Sequence, residues 1–500
     1  MKLSTFAGLA VACLLTSSAA GMALAGSLVG SPPPPPVARD TPPDTGPASS
    51  LLAVFQPARD RFDAGATVRV EGRLGHATMA AGRSAKTFLH LDLHASEDLL
   101  AAETASTNLS IVIDRSRSMK GQRMENALAA ARGMIGRLRE GDMVSVVVYN
   151  TQSTVLVPPT TITARSRSEL GLQLRSIEAR GHTCISCGVQ EGLAQLQRGQ
   201  GAVSRMLLLS DGQANTGIRN PEGFERLAEQ ARGRGVTISS LGVDVDYDER
   251  LLLAVAQASN GRHYFVRDPS GLARVFDEEL RSLHKTVASG VEAVIDLGPG
   301  VEITKVFDRG FSRQGRALVV PFGAFAAGDR KSLLVEVQLP RGVKGLREVA
   351  DVKLRYRDLT TDPQGEGACE GQLAVRLTDD AGAVSPLDPL VEARLARAET
   401  SAALREANEA FAAGDVGRAQ DKLRSTRGRI HKRRSASRPL AKKSQRKRFD
   451  DAFDGQFEAL DRAGENFEQA QKVAPSAPAA SPEGKASVRS NADALSGLGL

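Results

Sequence analysis

Tryptophan is absent from this 500-residue chain, and its aromatic residues are limited to 4 tyrosines and 16 phenylalanines. Large rings therefore contribute little to the interior, and we expect hydrophobic cores built mostly from leucine, valine, isoleucine and alanine. Hydrophobic residues still make up 41% of the chain and charged residues 25%, which is ordinary for globular proteins. A chain of this length is expected to form roughly two to four domains.

The sequence motifs of several common enzyme classes are also missing. There is no His-Glu-x-x-His zinc helix, no Gly-x-Ser-x-Gly nucleophile elbow and no phosphate-binding loop. Residues 328–332 contain a Lys-Ser pair, but they lack the glycine spacing that a phosphate loop requires. We therefore interpret the chain as a binding protein and not as an enzyme.

Residues 1–25 have the pattern of a signal peptide for export. Lys2 precedes an apolar run over 6–15, and small residues end at Ala25. Export would place the mature protein in the periplasm, on the cell surface or in the medium. Cys13 follows Ala-Val-Ala, so lipid attachment at this cysteine is an alternative form of processing. The proline-rich residues 26–50 are interpreted as an extended linker.

Cysteine is scarce, and removal of the signal peptide would leave only Cys184, Cys187 and Cys369. Disulfides are stable in exported proteins, and the short spacing allows Cys184 and Cys187 to bridge locally. A metal site with His182 and thioredoxin-like thiol exchange are the alternatives for this pair. Cys369 would remain as a buried thiol or an intermolecular partner.

Positive charge is concentrated in one stretch. Residues 422–448 contain 13 lysines or arginines and no acidic residue, so the rest of the chain is net negative although the total is +7. Aromatic residues are not interleaved with these charges, and nucleic-acid binding is therefore not indicated. An anionic envelope surface is the more suitable counterpart for an exported protein. A solvated, flexible connection between helices is the alternative.

Buried strands alternate with amphipathic helices over 107–286, which predicts an α/β domain with a doubly wound, mostly parallel sheet. Strand-rich segments flank it at 51–106 and 287–385. We expect these two segments to join into one antiparallel β-sandwich into which the α/β domain is inserted. On one flanking strand, His90, Asp92 and His94 share the face opposite three leucines, and we expect that face to be solvated. A metal site formed by the two histidines and the carboxylate is the alternative.

The remaining chain is predicted to be helical over 386–473, a region that includes the basic stretch 422–448. Phe449, Phe453 and Phe467 belong to an apolar stripe with helical spacing, which is typical of helix pairing in a small bundle. From 474 to 500 the chain is rich in alanine, serine, proline and glycine, and this composition predicts a disordered tail.

The first strand of the α/β region ends in a group of oxygen-bearing side chains. An apolar run over 109–113 stops at Asp114, and Ser116 and Ser118 follow at every second position. Ligands bind at the carboxyl ends of strands in such sheets. Carboxylate and hydroxyl oxygens suit Mg2+, or Mn2+ and Ca2+, better than zinc or copper. The alternative is that these side chains only cap the following helix.

Two further segments complete a family pattern. Thr183 lies in a loop led by Gly181, and Asp211-Gly212 follows a later strand. Together with the Asp114-x-Ser116-x-Ser118 motif, their order and spacing make residues 107–286 resemble a von Willebrand factor A domain. Including its flanks, the chain resembles bacterial exported proteins related to inter-alpha-trypsin-inhibitor heavy chains and chloride-channel accessory proteins.

The resemblance implies a metal-ion-dependent adhesion site. It assigns the divalent ion, Mg2+ first, to a set of five residues: Asp114, Ser116, Ser118, Thr183 and Asp211. In this family an acidic residue of the protein partner commonly completes the coordination. We therefore expect an exported adhesion module that captures a protein through the metal. A structural envelope-assembly or transport-accessory protein, attached through its basic helical region, is the alternative.

Arg117 departs from the family pattern, in which glycine usually stands between the two serines. Together with Arg115, Lys120 and His182, it could place positive charge around the site. That charge would favour an acidic partner or weaken metal binding by repulsion. Alternatively, these long side chains extend into solvent and leave the site unchanged.

Overall fold

The computed structural model describes residues 59–497, apart from 103, 104, 176, 308 and 362–364. The predicted signal peptide at 1–25, the linker at 26–50 and Cys13 lie outside the described residues. None of the helices in the described part of the chain is both long and apolar enough to cross a membrane.

Short strands precede the α/β domain. They are β1 (Arg61–Ala64), β2 (Val68–Leu74), β3 (Thr78–Ala80) and β4 (Ala85–Ala95). Successive side chains of β4 point to opposite faces, so Leu89, Leu91 and Leu93 all enter the interior and are fully buried.

The α/β domain has a central sheet whose strands are nearly all parallel. The strands are β5 (Thr107–Asp114), β6 (Met143–Tyr149), β7 (Ser153–Thr161), β8 (Val203–Ser210), β9 (Val236–Val243) and β10 (His263–Val266). Their order is β10-β9-β8-β5-β6-β7, and only β7 runs antiparallel to its neighbour. The sequence pattern did not indicate β7, which contains Pro158 and Pro159. Its position at the sheet edge tolerates these prolines because an edge strand has one side without ladder bonds.

Helices cover both faces of this sheet. They are α1 (Gln122–Arg137), α2 (Ala164–Gln173), α3 (Ile185–Arg198), α4 (Pro221–Gly233), α5 (Glu249–Ala258) and α6 (Leu272–His284). One face packs against α1, α2 and α6 through residues such as Met134 and Phe276. The other face packs against α3, α4 and α5 through Leu193, Phe224 and Leu251. The predicted doubly wound α/β domain is confirmed.

The chain then returns to strands that complete the sandwich. They are β11 (Thr286–Leu297), β12 (Glu302–Phe307), β13 (Ser312–Gln314), β14 (Ala317–Ala326), β15 (Arg330–Leu339), β16 (Gly345–Asp358) and β17 (Gly365–Thr378). The two sheets are ordered β1-β2-β4-β15-β12 and β13-β14-β11-β16-β17-β3. Strands from both flanks thus share each sheet, which confirms the expected insertion of the α/β domain into a sandwich. Pairing is antiparallel except between β17 and β3.

The C-terminal region is helical, with α7 (Pro389–Ala412), α8 (Val416–Ser437), α9 (Arg446–Val473) and α10 (Pro482–Gly497). Phe411 of α7 stacks on Phe467 of α9 with ring centroids 4.2 Å apart, as the apolar stripe predicts for a bundle. The prediction of a disordered tail over 474–500 is wrong, because α10 lies within it. Ala486 and Ala492 of this helix are buried, so small apolar residues at helical spacing suffice to dock it.

Most of the polar face of β4 is buried, contrary to expectation, and only His94 of the three polar residues remains partly exposed. His90 and Asp92 are only 4% and 8% exposed, because the C-terminal helical region covers this face of the sandwich. Arg448 of α9 pairs with Asp92 and lies 2.8 Å from Glu71. Burial and neighbouring arginines hold the pKa of His90 well below its usual range. Alternation along a strand shows which residues share a face, but it does not show what covers that face.

Candidate metal centre

Asp114 forms the base of the site at the carboxyl end of β5, and its side chain is fully buried. One carboxylate oxygen, Oδ1, accepts a hydrogen bond from the backbone N–H of Ser116 at 2.7 Å. The other, Oδ2, accepts one from the Ser210 hydroxyl at 2.8 Å. Burial raises the pKa of the Asp114 carboxyl to about 7, although these hydrogen bonds oppose the shift. A carboxylate so far removed from water is stabilised by a nearby cation.

The two serines lie on the turn that follows β5. Ser116 is buried at the start of a short 3-10 helix, Arg117–Met119, and Met119 anchors that helix in the core. The Ser116 and Ser118 hydroxyl oxygens are 3.0 Å apart. Ser118 donates a hydrogen bond to Asp211 Oδ1 at 2.7 Å. Residues from two different strand ends therefore meet, which follows from the parallel pairing of β5 with β8.

Thr183 reaches the same place from the loop before α3. Its backbone N–H donates to the side-chain oxygen of Asn215 at 2.8 Å, and its carbonyl accepts from the Asn215 N–H at 3.1 Å. An added Cβ at Gly212 would lie 3.2 Å from the Ser118 hydroxyl oxygen and 3.5 Å from the Thr183 hydroxyl oxygen. Glycine at 212 thus keeps open a small space that both hydroxyls line.

The structure therefore brings together all five residues predicted for the site. Their oxygens, two carboxylates and three hydroxyls, are hard donors of the kind that Mg2+ and Ca2+ prefer. Within the described ranges, no group of three or more His, Cys, Asp or Glu side chains has a metal-binding arrangement. A metal at this site would therefore depend on the serine and threonine hydroxyls as well as on the aspartates.

Arg123 is a residue of the site that sequence reasoning missed. From the first turn of α1, its guanidinium donates to Asp211 Oδ2 at 2.9 Å and also pairs with Asp244. Burial still raises the pKa of Asp211, although hydrogen bonds from Ser118 and Arg123 oppose it. Asp244 follows the last residue of β9 and adopts a positive φ of 64°. No sequence motif marks Arg123.

Arg117 is exposed, and it does not adopt the positive φ that would require glycine at this position. Lys120 and His182 are exposed too. Arg115 is partly buried and donates to the Thr154 hydroxyl at 3.3 Å. The arginine that contacts a predicted ligand is therefore Arg123 and not Arg117.

Cys184 and Cys187 form a disulfide at the beginning of α3, directly after Thr183. The Cys184 N–H donates to the carbonyl of Asn150 at 2.8 Å, which ties this loop to the end of β6. Because both sulfurs are in the disulfide, they offer no thiolate for a metal site with His182. Cys369 is a half-buried free thiol on β17.

Comparison with known proteins agrees with this geometry. Residues 108–278 match the model of the von Willebrand factor type A domain. The uncharacterized protein YfbK of Escherichia coli K12 is 28% identical over 290 residues, covering 55% of this chain and 50% of YfbK. Human inter-alpha-trypsin inhibitor heavy chain H3 is 24% identical over 208 residues, covering 38% of this chain and 23% of that protein. The chain thus spans about half the length of YfbK and less of the heavy chain.

Solved structures show the same fold. A von Willebrand factor type A protein from Catenulispora acidiphila superposes with a TM-score of 0.63 at 21% identity, covering 82% of this chain and 91% of that one. The ArnB paralog VWA2 from Sulfolobus acidocaldarius superposes with a TM-score of 0.58 at 15% identity, covering 87% of this chain and 99% of that one. These matches extend well beyond the α/β domain.

Proposed function

We propose that this protein, whose residues 108–278 form a von Willebrand factor type A domain, is an exported, non-enzymatic adhesion module. Domains of this family commonly mediate protein–protein interaction. The proposed mechanism is capture of a protein partner through a divalent ion held by Asp114, Ser116, Ser118, Thr183 and Asp211. Mg2+ is the proposed ion, with Ca2+ and Mn2+ as alternatives.

The convergence of oxygens around Gly212 is the observation that carries this proposal. Ser118 and Thr183 line one open space, and Asp211 and Ser116 are within hydrogen-bond distance of Ser118. In the proposed site the hydroxyls supply neutral ligands, and the buried aspartates supply charge directly or through water. A bound divalent ion would supply a partly unneutralised positive charge, which attracts an outside carboxylate.

The surroundings support an acidic residue on the partner. Arg117 and Lys120 are exposed beside the site, and Ser118 itself reaches the surface. Positive side chains around a surface site attract and orient negatively charged partners. The structure thus supports the charge complementarity that the proposed capture requires.

Capture of acidic peptides tests this function. A displayed library of peptides that each carry one Asp or Glu is passed over the immobilised full chain, with Mg2+ or with EDTA. The proposal predicts selection of acidic peptides that EDTA releases and that the Ser118→Ala variant loses. Ser425→Ala, on the exposed face of α8, is the matched control and should retain them. Equal selection by the Ser118→Ala variant, or selection that survives EDTA, would contradict the proposal.

A second candidate function is attachment to an anionic envelope surface through the basic stretch 422–448. Much of this stretch is neutralised, because Arg427, Arg433, Arg434 and Arg438 form ion pairs with acidic residues of α7 and α9. Four exposed lysines of this stretch make no ion pair within the described residues and define a lysine tip: Lys432 near the end of α8, Lys442 and Lys443 between the helices, and Lys447 at the start of α9. Leu440 at this tip is 49% exposed. A structural or transport-accessory role would use this tip and not the metal centre.

A further inference from the structure

A polar cavity of about 880 Å3 lies where the α/β domain, the sandwich and α7 meet. It shares no residue with the candidate metal centre. Its volume falls in the range of about 300–1,000 Å3 that is typical of small-molecule sites. The cavity is therefore large enough for a small metabolite but has no role in the adhesion mechanism.

The α/β wall of the cavity carries three arginines: Arg205, Arg262 and Arg274. Arg205 is 8% exposed and pairs with Glu279 at 2.8 Å, while its Nε is buried without a hydrogen-bond partner in the described structure. Glu278 lies 3.3 Å from Arg262 and 3.7 Å from Arg274, so a single carboxylate forms ion pairs with both arginines. Positive charge is thus only partly compensated on this wall.

The opposite wall adds four more basic residues: Arg309, Arg330, Lys331 and Arg405. Arg330 and Arg405 are exposed and form no ion pair within the described ranges. Lys331 donates to the carbonyls of Phe322 and Ala324 at 2.9 and 2.6 Å. These carbonyls orient the amino group, and burial lowers the pKa of Lys331 to about 7, so this side chain carries only part of a positive charge at neutral pH.

Acidic groups do not balance this charge. Seven basic side chains line the cavity, including the partly charged Lys331, whereas Glu278 and Asp329 are its acidic lining and Glu279 pairs with Arg205. Asp329 lies 3.8 Å from Arg262 and accepts a hydrogen bond from the Ala326 N–H at 2.9 Å. Like charges gathered in one concave site repel each other unless an anion joins them. Arginine side chains also bind oxyanions well, because the planar guanidinium group can donate two parallel hydrogen bonds to one anion.

We propose that this cavity binds a small molecule with two or more oxyanion groups, such as an organic phosphate or a polycarboxylate. The walls come from three parts of the chain, so the bound anion would bridge the α/β domain, the sandwich and α7. Such a ligand would stabilise the folded protein in proportion to its affinity. The geometry assigns Arg330 and Arg405 as the anion contacts nearest to solvent.

Calorimetric titration of the full chain tests the proposal, with pyrophosphate and citrate as separate probes. Metal-depleted buffer without chelator is needed, since both probes bind Mg2+ and chelators are themselves polyanions. The expected result is one saturable site per chain for at least one probe. If only pyrophosphate binds, the ligand of the cavity is assigned to the phosphates. If only citrate binds, it is assigned to the polycarboxylates.

The double variant Arg330→Gln/Arg405→Gln should weaken this binding at least about tenfold, which equals about 1.4 kcal/mol. The matched control is Arg226→Gln/Arg418→Gln, which removes two exposed arginines outside the cavity. Thermal unfolding of both double variants checks that the fold is retained. The proposal would be overturned if neither probe showed saturable binding at about 5 mM, or if the control double variant weakened binding as much as Arg330→Gln/Arg405→Gln.

Discussion

Arg123 donates a 2.9 Å hydrogen bond to Asp211, so a positive side chain contacts a candidate metal ligand directly. Asp211 is fully buried, whereas the Arg123 side chain is 28% exposed and also pairs with Asp244. Arg123 therefore neutralises part of the negative charge on Asp211 that would otherwise attract a divalent ion.

Replacement of Arg123 by glutamine should tighten Mg2+ binding. The substitution removes a positive charge that contacts Asp211 and would repel the metal ion. We therefore expect the affinity for Mg2+ to rise roughly threefold to tenfold. Calorimetric titration with Mg2+ measures this change, and Arg226→Gln serves as the control for a remote charge. Weaker binding by Arg123→Gln would show that the arginine instead holds Asp211 in its binding position.

Replacement of Arg117 by glycine should change little. The Arg117 side chain is exposed and its backbone does not require glycine, so we expect Mg2+ affinity within about twofold of the wild type. The same titration measures this variant beside Arg123→Gln. A change of about tenfold would contradict the conclusion that Arg123, and not Arg117, is the arginine that contacts a candidate metal ligand.

Loss of the Cys184–Cys187 disulfide should destabilise the α/β domain and weaken metal binding. Closing so short a loop contributes about 2 kcal/mol in the chain-entropy model. The disulfide directly follows Thr183, so its loss also loosens a predicted ligand. Urea unfolding and Mg2+ titration of Cys184→Ala/Cys187→Ala measure the two effects. Cys369→Ala is the control and should leave metal affinity unchanged.

Acid should destabilise the fold through His263, which is buried between the Ser240 hydroxyl at 2.8 Å and the Tyr247 hydroxyl at 3.0 Å. Burial lowers the pKa of His263 from 6.5 to about 3. Between about pH 3 and pH 6.5, His263 therefore binds a proton in the unfolded chain but not in the folded chain. Stability from the neutral imidazole is complete above pH 6.5 and falls by about 1.4 kcal/mol per pH unit below it.

Comparison with His263→Gln isolates this effect. Between about pH 7.5 and about pH 5, the wild type should lose about 2 kcal/mol more unfolding free energy than the variant. Urea unfolding at the two pH values measures the difference, and the exposed His431 provides the control variant His431→Gln. A variant that loses as much stability as the wild type would show that His263 is not the group responsible.

The lysine tip between α8 and α9 should bind anionic vesicles if the protein attaches to the envelope there. Replacement of Lys432, Lys442, Lys443 and Lys447 by glutamine removes charges worth about 1 kcal/mol each near such a surface. We expect at least about a tenfold loss in co-sedimentation with vesicles containing anionic lipid. Neutral vesicles are the control. Unchanged binding by the quadruple variant would exclude the tip as the attachment site.

The candidate ligands could be predicted because local sequence positions them. Asp114 ends a buried parallel strand, and the carboxyl ends of such strands meet at one edge. Ser116 and Ser118 follow it at alternate positions, and Asp211 follows a neighbouring strand. The position of Arg123 could not be predicted in this way, because its contact with Asp211 depends on where α1 packs over the sheet.

Contacts between distant segments account for the other differences. Asp92 meets Arg448 across 356 positions of sequence, and alternation along β4 contains no information about that helix. The tail was predicted to be disordered from composition, yet α10 docks through buried alanines such as Ala486. Marginal helices of this kind are stabilised by tertiary packing more than by their own propensity.

Titration of the full chain with Mg2+ is the most direct test of the proposed adhesion site. We expect one Mg2+ to bind per chain with a Kd at or below about 1 mM. Thr183→Ala should abolish this binding without lowering the unfolding temperature, while Thr160→Ala on β7 should retain it. No binding to the wild type, or equal binding to the Thr183→Ala variant, would contradict the metal-dependent mechanism.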